Sequence, residues 1–346
     1  MISNYRFRWW HFLGVIALIV LVQGIKTVDT DMPVYWSQLS NHARLTLPSA
    51  QGFLLEGLLF DAIGVCLVHL QIHKITPNEL GWAVGVIILV GAFVYSVIDG
   101  TISLVTAFLA VSLTRIVDSL SQWVGKLDPF LFAFLILTAN RNRWVATGAA
   151  GLAAFCHPLA AIVSTIGVNL VAYYNDRKLN LPQLILTVVC AGVDLVAFRS
   201  WFPSGSSRAE FVTTQIRSIA ENGLQFGVFG AIIGIALPVI SVGYMTSNKP
   251  KEIGVRGLLV LFWLAGIFFI SSMMTLDHTR VGTLLLLAPF LIWLDERLKS
   301  NEAPLLTPAL FGVIFISRLF VPHVNEGGAQ IFQYDAILRL VPGAMH

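Results

Sequence analysis

Apolar runs long enough to cross a bilayer recur along the whole chain, and nothing constrains its fold more. They include 9–25, 53–71, 80–98, 158–174, 226–245 and 257–275, close to the roughly 17–25 residues that a spanning helix needs. Only 12% of the residues are charged, 56% are hydrophobic, and the mean hydropathy is +0.77. Soluble domains carry about 25% charge. In lipid, backbone groups must be satisfied within the segment, so such runs become helices. A β-barrel would alternate in segments of roughly ten residues instead. The expected fold is all-α: a polytopic transmembrane bundle of about ten spans, forming one domain over 1–346.

Charge between the runs sets orientation. Arg6 and Arg8 precede the first run, which puts the N-terminus in the cytoplasm and 26–51 outside. The first run lacks a small-x-small cleavage site and is followed by Lys26, so it reads as a retained helix. Phe53 to Gln71 then returns, His73 and Lys74 are inside, and Leu80 to Ile98 goes out to Asp99. Arg141, Asn142 and Arg143 read as cytoplasmic, as do Asp176, Arg177 and Lys178. Between Lys74 and Arg141 lie three apolar runs, 80–98, 101–116 and 129–140, an odd number that would place Arg141 outside. The expectation is that Thr101–Ile116 is a surface or re-entrant helix rather than a span, covered by protein or a wet cavity. From Arg141 onward the pattern is regular: His157 and Pro158 at an outer tip, Lys249, Lys251 and Arg256 inside, Asp277 to Arg280 outside, Arg297 and Lys299 inside, and the tail 321–346 extracytoplasmic. Five of the seven lysines then fall inside, whereas Arg44, Arg199, Arg208, Arg217, Arg280 and Arg339 fall outside. External arginines depart from the charge rule and suit phosphate, whose oxygens the guanidinium fork grips in pairs.

Charge beside a membrane core is costly and calls for a reason. Two clusters share the expected outer side. Asp29 and Asp31 follow the first helix, and Tyr35 with an amphipathic stretch, Val34 to Leu47, comes next. Such a pair can act as a general base or meet a divalent cation; the plain alternative is a solvated loop. Asp277, His278, Thr279 and Arg280 form the second, where the first turn of a helix also favours an anion. Its plain alternative is a hydrophilic turn closed by an Asp277–Arg280 pair. The loop after Arg199 adds Arg208 and Arg217. Glu56, Asp61 and Asp194 lie within apolar runs, with Glu56 near the expected outer end of its helix. Intramembrane acids also mark ion or proton paths. Cys66, Cys156 and Cys190 fall in apolar runs without a CxxC pair and read as packed thiols. The chain has no HExxH, P-loop or GxGxxG signature, so the energy for a reaction would come from an activated donor rather than ATP.

The first external loop, Thr27-Val28-Asp29-Thr30-Asp31-Met32-Pro33-Val34-Tyr35, and the stretch Arg141-Asn142-Arg143-Trp144 to Cys156-His157-Pro158-Leu159 resemble GT-C membrane glycosyltransferases over roughly the first half of the chain. The resemblance implies a polyprenyl-linked sugar donor and an extracytoplasmic reaction, with the first-loop acid as base or metal partner. Carried over, Asp29 or Asp31 is catalytic, and Mg²⁺ or Mn²⁺ is the candidate cofactor. Members with a large soluble C-terminal domain differ from this chain, which shows none. The run around Asp277 to Val281 also resembles stretches of Wzy-type O-antigen polymerases.

The resulting expectation is a glycosyltransferase of a bacterial inner membrane, its active site facing the periplasm. It would act on a polyprenyl-(di)phosphate-linked donor and a glycan or lipid-linked acceptor, among membrane lipids and without nucleic acid. Asp29 and Asp31 would be catalytic. Arg280, His278, Asp277, Arg208 and Arg217 would hold the donor phosphate. Tyr35, Glu56, Asp99, Arg199 and His157 would line the site. The alternatives are a polysaccharide polymerase and, from another class, a lipid-oligosaccharide flippase or secondary transporter with Asp61 and Asp194 in its path.

Overall fold

The computed structural model describes residues 54–72, 75–122, 127–175, 177–201, 255–273, 278–300, 320–325 and 328–332, with isolated positions 10, 13–14, 16–17 and 232. Ten helices cover most of them: α1 (Leu54–His69), α2 (Pro77–Ile98), α3 (Leu104–Leu113), α4 (Ile116–Gln122), α5 (Asp128–Thr138), α6 (Arg143–Cys156), α7 (Pro158–Tyr174), α8 (Leu181–Trp201), α9 (Val255–Met273) and α10 (His278–Ser300). A two-stranded antiparallel hairpin follows, β1 (Phe320–Asn325) on β2 (Gly328–Phe332), with Asn325 opposite Gly328. It occupies part of the stretch expected to be a plain tail. The all-α expectation holds for the body of the molecule.

Local chemistry explains where the helices start and stop. Thr76 and Glu79 form a reciprocal capping box at α2, each accepting the other's backbone N–H at 3.0 Å, and Pro77 fills the first turn. Gly100, at φ +72, ends the same helix in the left-handed region that a side chain would resist. Asn142 caps α6 by accepting from the Trp144 amide at 3.0 Å. His157 caps α7, its Nδ1 accepting from the Ala160 amide at 3.3 Å. Nδ1 is thus the acceptor and the neutral ring carries its proton on Nε2.

The core gathers Phe108 from α3, Phe132, Leu135 and Ile136 from α5, and Leu285 and Phe290 from α10, all nearly inaccessible. Small residues bring other helices closer. Ala146, Ala149, Ala150, Ala153 and Ala154 on α6 are buried, and α6 packs extensively on α8. A Cβ on Gly167 of α7 would lie 2.0 Å from the Trp263 ring of α9. The Trp263 indole donates to the Val163 carbonyl at 3.0 Å, so this close approach is also hydrogen-bonded. Polar side chains tie α6, α7 and α8 together at one end: Gln183 donates to the Thr138 and Ala146 carbonyls at 2.9 and 3.2 Å and accepts from Asn169 at 3.1 Å.

Helix direction corrects the expected path of the first part of the chain. α5 runs from Asp128 to Thr138, so the bundle has an Asp128 end and an Arg141 end. α2 lies parallel to α5: Gly85 abuts Pro129 and Phe130, while Asp99 accepts from Asn140 at 3.2 Å. α3 runs back between these ends, since Ser103 meets Asp295 and the Arg115 amide meets Thr283, twelve residues earlier on α10. Thr101–Ile116 is therefore not a surface or re-entrant element. Its helix connects the two ends, and Thr106 to Leu113 are all buried. Ten residues give it only about 15 Å, a length tolerated because protein encloses it. Asp99 consequently belongs to the Arg141 end, against the expectation that it lies opposite. α1 joins α2 through a short connection and so runs antiparallel to it. Glu56, in the first turn of α1, is thereby also at the Arg141 end and not at the end shared by His157 and Arg280.

One helix among the described residues, over Glu79–Ile98, is long and apolar enough to cross a membrane by length and composition; five shorter apolar helices accompany it. Large apolar side chains are exposed on the outside of the bundle. Ile87 and Ile98 on α2, Val196 on α8 and Phe262 on α9 are each more than 70% accessible.

Candidate functional site

The Asp128 end holds the densest buried charge that could meet an anion. Asp128 opens α5, next to Pro129, and is 5% exposed. Arg280 comes from the first turn of α10. Its Nη2 donates to Asp128 Oδ1 at 3.2 Å, and its Nε lies 2.7 Å from Oδ2 without hydrogen-bond alignment. The pair is an offset ion contact rather than an ideal parallel fork. Arg115 is 3% exposed, and its amide donates at 3.1 Å to Thr283, one turn along α10 from Arg280. Buried Asp128 and part-buried Arg280 thus pair beside the N-terminal turn of α10, whose amides add partial positive charge, and buried Arg115 is fixed through its backbone amide one turn further along that helix. The carboxylate neutralises one cation. The guanidinium fork of Arg280 beside a helix N-terminus is the kind of group that suits a phosphate and its bridging oxygen.

Several expected site residues fall at the same end of the bundle. His278 begins α10, Arg199 lies near the C-terminal end of α8, and the half-buried His157 caps α7; all three are at the Asp128 end. The described partner of Arg280 is Asp128, from a different helix and 152 residues away. Asp29, Asp31, Tyr35, Arg208, Arg217 and Asp277 lie outside the described residues. Among the described residues no group of three or more His, Cys, Asp and Glu side chains is placed to hold a metal ion. The pair expected to meet Mg²⁺ or Mn²⁺, Asp29 and Asp31, is outside them.

Asp128 and Arg115 were the residues that sequence reasoning did not place in the site. The signal available was a D-P pair opening a helix and an arginine at the foot of an apolar run. Neither names a partner.

The Arg141 end uses its charges differently. Asp295 is 2% exposed. It accepts from the Ser103 amide at 2.9 Å and the Thr106 hydroxyl at 3.0 Å, and it pairs with Lys299 one turn on. It therefore caps α3 across the bundle. Asp99 accepts from Thr101 at 2.8 Å as well as from Asn140. Arg177 pairs with Glu296. Burial lowers the Arg177 pKa from its ordinary value; nearby Arg141 lowers it further and Asp295 opposes the shift. Arg143 stacks on Trp144, with the guanidinium carbon 4.8 Å from the ring centre, and Arg256 stacks on Tyr173 at 4.4 Å.

No family model, curated protein or solved structure matches this chain.

Proposed function

We propose that the chain is an integral-membrane glycosyltransferase of about ten spans, moving a sugar from a polyprenyl-(di)phosphate-linked donor to a glycan or lipid-linked acceptor. The apolar exterior of the bundle supports the bilayer setting, since lipid is the solvent that matches exposed Ile87, Ile98, Val196 and Phe262. Basic residues gather at the Arg141 end: Arg141, Arg143, Arg177, Lys178, Arg256 and Lys299. The charge rule assigns that end to the cytoplasm. The Asp128 end then faces the periplasm of a bacterial inner membrane.

The observation that carries the reading is the Arg280–Asp128 ion pair at the first turn of α10, with buried Arg115 hydrogen-bonded through its backbone amide to Thr283 one turn along. In this reaction the sugar–phosphate bond breaks as the acceptor oxygen bonds to the anomeric carbon. The departing phosphate gains negative charge, which Arg280 and a helix N-terminus stabilise. Asp29 or Asp31 takes the acceptor proton, which requires the chain to pass from the periplasmic side to the cytoplasmic end between Asp31 and the start of α1 at Leu54, and a divalent cation beside them is part of the proposal.

The test is transfer by purified protein in nanodiscs, from a panel of labelled polyprenyl-phosphate sugars to a membrane acceptor extract. Arg280→Lys keeps the charge and loses the fork. Its transfer rate should fall about 10²–10³-fold, the usual effect of removing one donor to a developing oxyanion, while the variant remains folded. Asp29→Asn or Asp31→Asn should abolish transfer. Undiminished transfer in Arg280→Lys would remove the cluster from the site. Donor turnover only with a lipid-linked oligosaccharide would point to a polymerase.

One observation favours transport as a second reading. Asp194 sits in mid-α8 with no exposed surface, and a buried acid in a span is a common station on an ion path. Proton-coupled uptake into vesicles, lost in Asp194→Asn, is what that reading requires.

A further inference from the structure

A half-open cavity of about 200 Å³ lies between α7, α9 and α10, toward the Arg141 end. Its wall is almost entirely carbon, from residues such as Val260, Leu261, Leu264 and Leu286. The three helices are arranged alike at its mouth. The last lining residue of each, Tyr174, Gly257 or Trp293, is followed within one turn by a charged residue or adjoins one: Arg177, Arg256 and Glu296. Lys178 stands exposed beside them. Arg256 is exposed, and its Nη1 donates to the Tyr173 carbonyl at 3.3 Å, which holds the guanidinium over the ring at the rim. Among the described residues, Arg177, Lys178 and Arg256 supply the basic groups near the mouth, while Glu296 is engaged by Arg177 and Asp295 by Lys299. The buried surroundings and neighbouring Arg141 both disfavour the charge on Arg177, and an anion at the mouth would relieve that. Outside the cavity, α9 shows Leu258 and Phe262 to the exterior.

We propose that this cleft is a binding site for an anionic phospholipid, an acyl chain lying among Val260, Leu261 and Leu264 and the phosphate resting on Arg256 and Lys178. Carbon-lined walls below a cationic rim match the two parts of that molecule. Basic pockets between spanning helices on the cytoplasmic side are the general form of such sites. The assignment rests on the bilayer setting given above but not on sugar transfer. The donor phosphate is placed at the opposite end of the bundle, so this cleft is a separate site for a lipid of the other leaflet.

The test uses the full chain in nanodiscs of equal dioleoyl phosphatidylglycerol and dioleoyl phosphatidylcholine, with retained lipids counted by native mass spectrometry. Wild type should keep the glycerol lipid about five- to thirtyfold over the choline lipid, as one or two basic groups at a bilayer surface give. Arg256→Ala should cut that preference about fivefold, and Arg256→Ala with Lys178→Ala should erase it. Leu261→Trp, which fills the cleft, should reduce retention of both lipids, and a thermal melt of each variant confirms that it is folded. Equal retention in wild type would overturn the site, as would a preference unchanged in Arg256→Ala. Displacement of the glycerol lipid by equimolar undecaprenyl phosphate would also overturn it, reassigning the cleft to a polyprenyl lipid. Lipid preference without sugar transfer would leave this site standing and defeat the enzyme reading alone. Failure to enter nanodiscs would defeat both.

Discussion

The two ends of the bundle each bury a carboxylate under a basic side chain from α10, yet the carboxylates have different tasks. Asp128 faces Arg280, and its role is charge: an arginine 17% exposed at the side chain stands against a carboxylate 7% exposed. Asp295 faces Lys299, but its lone pairs also serve the Ser103 amide and the Thr106 hydroxyl. It is an acceptor first and a counter-ion second. Removing charge while keeping an acceptor therefore separates the two ends. The lesson is functional as well. An end whose carboxylate is committed to capping a helix has its electrostatics settled internally. An end whose carboxylate instead meets an arginine at the foot of a helix holds that guanidinium in place for a ligand.

The largest effect should come from Asp128→Asn. Arg280 would stay largely buried without its counter-ion, and breaking one partner of such a pair costs about 3–5 kcal/mol. Thermal unfolding in detergent would report it as a marked fall in midpoint. Asp128→Asn combined with Arg280→Met should be milder than the single change, because no charge is then stranded. A double variant less stable than the sum of its parts would break the comparison, since it would show that the pair is not the unit.

Asp295→Ala comes next. It leaves the Ser103 amide and Thr106 hydroxyl without their acceptor in a buried setting, at about 1–3 kcal/mol for each unsatisfied group. The loss should localise to α3, visible as faster hydrogen exchange at its first turn. Exchange rising equally along α10 would mean that Asp295 is a counter-ion after all.

What could be read in advance follows the same division between local and distant contacts. Helix starts have causes within a turn, and the breaks at Asn142-Arg143 and His157-Pro158 were legible for that reason, whereas the run expected from Leu80 starts a turn earlier, at Pro77 behind the Thr76–Glu79 capping box. The path of α1 and α2 was not. Counting charges shows that one crossing is unmatched but not which run is responsible, and the chosen run, 101–116, carries a ten-residue helix that the rest of the bundle encloses. Asp99 and Glu56 were assigned to the wrong end by counting from a cytoplasmic N-terminus with 26–51 outside, a count that setting 101–116 aside preserved. The pairing of Arg280 with Asp128 had no sequence signal either, because tertiary contacts across 152 residues leave none in one chain. An Asp277–Arg280 pair within the turn was the nearest guess that local reasoning allowed.

The smallest effect is the most discriminating. Lys299 is 42% exposed at its side chain, so its pairing with Asp295 is screened by solvent. Lys299→Ala should cost no more than about 1 kcal/mol. Asp295→Asn removes the same charge interaction but retains an oxygen that can accept from Ser103 and Thr106, so its midpoint should fall close to that of Lys299→Ala and well above that of Asp128→Asn. Equal losses for the two Asp→Asn variants would erase the distinction between the ends. The Arg280 fork at the Asp128 end would then lose its significance as a preparation for phosphate, because both ends would simply be buried ion pairs.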